Sequence, residues 1–354
     1  MGIKRFFGFF PKDICCEEES ITNYDGKIIA IDAMHYIYTK CIGIRNSGND
    51  LLNNRGESVS HLISLLKLSC WLFENNITPI YVFDSKNPNI KQNTINERRK
   101  VKQKAINKCS LMTNKNTDDF IKFFKRSYFL NNVQVESCKK LLNYMGIPHI
   151  NGVKEADSQC AGLTHNLASC VISNDTDLLL FGATKIILGI DKIRKKVKVL
   201  KLDDIIDYLT YKANIIRDKL MMDRIVASHD VFIDFAIMMG TDYTKSITGI
   251  TPEELFNIFA VKSFDVVSTI NNLYLMKSRT KKIFVGDNFI TNWQSAKKYY
   301  SCARIVHPMH VNKTIIHPQV KQLIKFLCDD NGINYNYIDK NINMFVNKNL
   351  NLKI

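Results

Sequence analysis

The sequence predicts an α/β fold built on a mostly parallel central sheet flanked by helices. Two observations carry that prediction. Short apolar runs recur between residues 27 and 201, and stretches with helical spacing lie between or beside them. With 354 residues, 45% of them hydrophobic, the chain can bury a sizeable core as one large domain or two smaller ones.

The opening MGIKRFFGFFPKD has too short an apolar run for a signal peptide. KIIAID (27–32) reads as a buried strand, followed by AMHYIYTKCI with helical spacing. HLISLLKLSCWLFENN (61–76) is helical and leads into a second strand, ITPIYVFD (77–84). From 86 to 131 no strand signal appears. KNPNIKQNTINERRKVKQKAINK is basic and helical, and NTDDFIKFFKRS begins another helix, so this segment reads as a helical insertion between strands. ASCVIS (168–173) is a further strand. KIILGI (185–190) and KVKVLKL (196–202) read as two strands around DKIRK. KIRKKVK at that tip is better explained by exposed hairpin charge than by a nuclear localisation signal. From about residue 218 the chain is mostly helical, and NINMFVNKNLNLKI reads as a loose polar tail.

A net charge of +15 suggests a polyanionic partner. The ten cysteines are scattered with no C-x-x-C pair, which argues for reduced thiols in an intracellular protein and against a zinc site. No apolar stretch approaches membrane-spanning length, so no membrane partner is expected.

Acids recur at the ends of the strand candidates. Asp32 closes IIAID, Asp84 closes IYVFD, and Asp175 and Asp177 follow CVIS. Glu155 and Asp157 lie in EADSQCA, and Asp242 follows an apolar run in MMGTDY. In an open parallel sheet, ligands bind at the carboxyl ends of the strands, so these acids would converge on one crevice. Like charges at ion-pair separation repel by about 4 kcal/mol per pair even at an effective dielectric of 20. Mg²⁺ or Mn²⁺ bound to the carboxylate oxygens would offset that repulsion. Two such ions can activate a water and stabilise a leaving oxygen in phosphodiester cleavage. Taken singly, each strand-end aspartate is more simply a turn residue or an N-cap; the argument rests on how many are placed alike.

The same residues fall in a string of motifs: MGI at the start, IAIDAMHYIY, YVFDSKNP, KLLNYMGIP, EADSQCAGL, ISNDTDLLLFG and MMGTDYTKSITGITP. In this order the chain, from residue 1 to about 260, resembles the flap endonuclease/XPG family of structure-specific 5′ nucleases. The resemblance implies a PIN-like fold with a helical arch and a helix–two-turn–helix element. Its expected divisions are a nuclease core over 1–260 and a helical carboxyl-terminal region over 261–354. Within the core it implies an amino-terminal region over 1–100, an arch over about 86–131 and an internal region over about 135–260. It makes Asp32, Asp84, Glu155, Asp157, Asp175, Asp177 and Asp242 the ligands of two Mg²⁺ ions, with Mn²⁺ able to substitute. It makes Lys91 and Arg98, seven residues apart and so on one helix face, catalytic residues at the scissile phosphate. Without it, both would read as a solvated basic face. It places Gly2, Tyr38, Arg45, Gly249 and Ile250 at the DNA, Tyr38 by stacking on a base, and puts K⁺ at SITGITP (246–252).

This copy departs from the family's pattern. The second glycine of that element is Thr251, and the following basic pair is Glu253 and Glu254. Thr251-Pro252-Glu253-Glu254 also reads as an N-cap, an N1 proline and a capping box. Position 157 is Asp where Glu is common. No sliding-clamp peptide ends the chain, so clamp recruitment is in doubt. That absence, with the Asn/Lys/Ile-rich composition, makes a large DNA virus a plausible source. The implied function is a monomeric, metal-dependent 5′ flap endonuclease in replication and repair. Its partner would be branched or nicked DNA with a 5′ single strand, in the nucleus (the host's, for a virus) or at a cytoplasmic replication site. Alternatives left open are a 5′→3′ exonuclease, a PIN-like ribonuclease and an inactive DNA-binding relative.

Overall fold

The computed structural model describes residues 2–85, 92–115, 117–280 and 283–351. Seven strands pair in one sheet: β1 (Cys16–Ser20), β2 (Ile28–Asp32), β3 (Thr78–Phe83), β4 (His149–Asn151), β5 (Val171–Ile172), β6 (Lys185–Asp191) and β7 (Lys196–Lys201). Their order is β1-β7-β6-β5-β2-β3-β4. Neighbours from β6 to β4 are parallel, and β7 pairs antiparallel with both β6 and β1. From β2 the chain builds outward through β3 and β4, then returns to lay β5 on β2's other side. The topological switch therefore falls between β2 and β5, where an open parallel sheet forms its ligand crevice.

Among the described residues, twelve helices of ten residues or more position the rest: α1 (Ala33–Ile44), α2 (Ser60–Glu74), α3 (Gln92–Leu111), α4 (Asp118–Ser127), α5 (Asn132–Met145), α6 (Ala156–Asn166), α7 (Leu202–Lys219), α8 (His229–Met239), α9 (Pro252–Val261), α10 (Val266–Thr280), α11 (Phe289–Ser301) and α12 (Tyr335–Asn351). Alternation along the strands divides the core between the two sheet faces. Ala30, Ile80, Val82 and Val171 pack with α6 to α11. Ile29, Ile31, Tyr81, Phe83 and Ile172 pack with α1, α2, α5 and α12. In the segment expected as an insertion, α3 and α4 pack on each other. Among the described residues, no helix is long and apolar enough to cross a membrane.

Three elements differ from expectation. β1, CEEES, lacks apolar alternation; opposite charge pairs it with β7 and β6. Glu18 meets Lys196 at 3.1 Å and Glu19 meets Lys185 at 3.1 Å. β4 is too short to carry a period and is held by parallel pairing with β3. The stretch from 341, expected as a loose polar tail, continues α12 as far as Asn351, and the expectation fails because Ile338, Ile342 and Phe345 recur at helical spacing and are buried. The hairpin around DKIRK is present: Asp191 Oδ1 accepts from the Ile193 and Arg194 amides, and Ile193 at the tip is exposed.

Phe345 lies edge-on to Phe73 of α2, with ring centroids 5.0 Å apart and 1% of its surface exposed. Phe345→Ala should lower the unfolding free energy by about 3–5 kcal/mol. Urea denaturation checks this, and an unchanged midpoint would contradict the docking of α12.

Candidate functional site

The structure places the strand-end acids on four neighbouring strands. Asp32 ends β2 and caps α1, its Oδ1 accepting the His35 amide at 3.0 Å. Asp84 follows β3, and its Oδ1 accepts the Ala156 amide at 2.7 Å, at the positive start of α6. Glu155, beyond β4, is the N-cap residue of α6, with Asp157 in its first turn. Asp175 and Asp177 follow β5, and the Asp177 amide donates to Asp175 Oδ1 at 3.1 Å. Asp242 comes from the far side, in the turn after α8. Asp32, Glu155, Asp175, Asp177 and Asp242 are all at most 9% exposed.

Burial pushes the Asp32 carboxyl above its ordinary range, and the charge of Asp175 adds to the rise. His35, by charge and by its amide, opposes it. His35 Nδ1 stands 3.9 Å from Asp175 Oδ2. Two groupings emerge around neutral residues. Burial, then the charges of Asp32, Asp157 and Asp84, hold the Cys160 thiol well above its usual range. Burial, then Asp177, Asp242 and Asp175 among others, do the same to the Tyr300 hydroxyl. Glu155 joins the two: it accepts from the Tyr243 and Tyr299 hydroxyls, the latter at 2.9 Å, and the Tyr243 ring lies 5.2 Å from that of Tyr300.

Arg98 of α3 reaches into this crevice, its Nη2 2.5 Å from Asp242 Oδ1. Lys91, its expected companion, lies outside the described residues. Among the described residues, no three His, Cys, Asp or Glu side chains are arranged to hold a metal ion as they stand. The protein's own donors account for part of this: Asp84, Glu155, Asp175 and Asp242 each accept an amide, a hydroxyl or a guanidinium. The donor set still fits a hard divalent cation, being carboxylate oxygen throughout, with Asp32, Glu155, Asp175, Asp177 and Asp242 buried.

The amino-terminal segment is part of the crevice. Phe6, Phe9 and Phe10 are buried, with Phe9 4.8 Å from Phe235 and 5.0 Å from Phe256. This pins Ile3, whose amide donates to Thr176 Oγ1 at 3.0 Å. Gly2 (φ 97) lies so close that a Cβ there would stand 2.6 Å from Asp175 Oδ1. Only glycine fits.

The remaining expected residues are placed differently from one another. Half-buried Tyr38 lines a cavity of about 440 Å³ with Ile42 of α1 and Asp118, Ile121, Lys122, Lys125 and Arg126 of α4. Arg45, expected at the DNA, has Nε, Nη1 and Nη2 bonded within the protein, to Asp50 Oδ1 at 2.8 Å, the Phe124 carbonyl at 2.8 Å and Asp50 Oδ2 at 2.7 Å. It also packs on the Phe124 and Tyr128 rings, so it ties α1 to α4. Gly249 (φ 78) is exposed and Ile250 is buried in the turn before α9. There the capping box forms as read, Thr251 Oγ1 accepting from the Glu254 amide at 3.1 Å. Glu253 pairs with Lys212, Nζ to Oε2 at 2.7 Å.

Tyr243, Tyr299, Tyr300, His35 and Thr176 were not singled out by sequence reasoning. Tyr243, Thr176 and His35 lie inside quoted motifs and could have been found there. Tyr299 and Tyr300 lie beyond residue 260 with no motif around them.

The family model described as XPG N-terminal domain matches residues 1–105, and that described as XPG I-region matches residues 146–242. Flap endonuclease 1 of Methanococcus aeolicus is 32% identical over 342 residues, covering 96% of this chain and 93% of that protein. Flap endonuclease 1 of Nematostella vectensis is 30% identical over 347 residues, covering 96% and 85%. Among solved structures, flap endonuclease-1 from Methanococcus jannaschii superposes with a TM-score of 0.69 at 26% identity, covering 97% of this chain and 99% of that one. The catalytic core of Rad2 in complex with DNA substrate gives 0.68 at 21% identity, covering 97% and 100%, a likeness of fold.

Tyr243→Phe and Tyr299→Phe each remove a hydroxyl donor from buried Glu155. Each should lower stability by about 1.5–3 kcal/mol, read as a shift in urea midpoint. No shift in either variant would mean that these hydroxyls do not hold Glu155.

Proposed function

The chain belongs to the flap endonuclease/XPG family, and from that premise we propose how its residues cut DNA. It is a structure-specific flap endonuclease, a nuclease acting on DNA phosphodiester bonds. The observation that carries the mechanism is the gathering of carboxylates from four adjacent strand ends in one crevice, with Arg98 of the α3–α4 insertion already at Asp242.

Asp32, Asp84, Glu155 and Asp157 would hold one divalent ion, and Asp175, Asp177 and Asp242 a second. Bound Mg²⁺ would supply positive charge for the phosphate and a water of lowered pKa. The chain's own residues do the rest. The 5′ single strand lies below the insertion, with a base against Tyr38 and phosphates along Lys122, Lys125 and Arg126. Arg98 turns its fork from Asp242 to the scissile phosphate, where charge builds in the transition state. Lys91 acts beside it. The amide-pinned acids and the buried tyrosines keep the crevice ordered while that charge forms. Water adds to phosphorus, the P–O3′ bond breaks, and the proton goes to the leaving oxygen, leaving a 5′-phosphate and a 3′-hydroxyl.

The test is cleavage of a 5′-labelled double-flap DNA in Mg²⁺. Wild type should make one cut near the junction. Asp175→Ala should make none while binding the flap within about threefold of wild type. Arg98→Ala should lower kcat by about 10²–10³, the usual loss when one transition-state donor is removed. A ladder of short products from the 5′ end would favour an exonuclease. Binding without cutting in Mg²⁺ or Mn²⁺ would favour a DNA-organising protein.

A further inference from the structure

The turn before α9 holds a cation of the protein's own. Arg5 donates from Nη1 to the Ile250 carbonyl at 3.0 Å and from Nη2 to the Ile247 carbonyl at 3.2 Å. One planar guanidinium bonds both, so the two oxygens converge on a single cationic group. Such convergence is what a free monovalent cation would need at this turn. The K⁺ expected at this element therefore does not fit: both carbonyls are taken, and the charge of Arg5 opposes a second cation.

The placement is built into the backbone. Arg5 has φ 56, in the left-handed region that residues other than glycine enter at a cost. On one side the Lys4 amide donates to the Gly240 carbonyl at 2.9 Å; on the other Phe6 is buried. Gly240 (φ 102) lies so near Ser246 that a Cβ would stand 2.8 Å from the Ser246 amide, which fixes residues 4 to 6 against the turn. Arg5 is exposed, and among the described residues three of its five N–H groups make no hydrogen bond. The two acids that depart from the family's pattern are engaged elsewhere, Glu253 with Lys212 and Glu254 in the capping box.

We propose that Arg5 is a tethered cation. It replaces a bound monovalent ion in the helix–two-turn–helix element and contacts a phosphodiester group of duplex DNA, which makes the duplex grip independent of K⁺. The proposal rests on the flap-nuclease reading.

Wild type and Arg5→Ala are titrated with a fluorescent blunt duplex, in EDTA, in the chlorides of K⁺, Na⁺ and tetramethylammonium at matched ionic strength. Wild-type Kd should agree within about twofold across the three salts. Arg5→Ala should bind about tenfold more weakly in tetramethylammonium, regain affinity in K⁺ as the vacated carbonyls take the ion, and lose about one from its log–log salt slope. Two results overturn the proposal: wild-type affinity that falls when tetramethylammonium replaces K⁺, or Arg5→Ala equal to wild type in every salt. If Arg5→Ala does not fold, the wild-type salt exchange decides alone. Flap cleavage in Mg²⁺ reports the functional reading separately. Cutting with K⁺-dependent duplex binding overturns only the role of Arg5. K⁺-independent binding without cutting overturns only the nuclease reading.

Discussion

Carboxylates crowded at the ends of neighbouring strands repel one another, by about 4 kcal/mol for a pair at ion-pair distance even at an effective dielectric of 20. Burial adds to the difficulty, because each charged acid loses its water. The structure around the crevice answers both. The α6 amino terminus faces Asp84, a backbone amide holds Asp175, two tyrosine hydroxyls hold Glu155, and Arg98 meets Asp242. Each is a directed donor, so each acid keeps an orientation. A crevice held this way tolerates the acids at close quarters.

The amino-terminal segment serves the crevice and the turn before α9 together. Its phenylalanines anchor it in the core against Phe235 and Phe256. With that anchor fixed, Gly2 and Ile3 close on Asp175 and Thr176. Two residues on, Arg5 reaches the carbonyls of Ile247 and Ile250. One short stretch therefore couples the acid crevice to the turn before α9 through rigid packing.

Arg45 shows how the insertion is attached. Its bonds to Asp50 and to the Phe124 carbonyl, with its stacking on Phe124 and Tyr128, fasten α4 to the end of α1. The cavity that Tyr38 lines sits beside this fastening. Arg45, which the resemblance placed at the DNA, thus makes its contacts inside the protein.

The sequence by itself determined the α/β class, the principal strands and the candidate acids. Those signals are local: apolar runs such as IIAID and IYVFD bury on both faces of a sheet, and ordered motifs retain their spacing. It could not determine that β5 returns beside β2, because strand adjacency depends on packing between residues more than a hundred positions apart. It missed β1, whose pairing comes from glutamates meeting lysines across strands. The helical tail was hidden by its polar residues, although Ile342 and Phe345 carried the spacing. Tyr299, Tyr300 and Arg5 are ordinary residues in sequence. Only the fold gives them roles, because hydrogen bonding acts over about 3 Å and the tertiary structure alone decides which groups come that close.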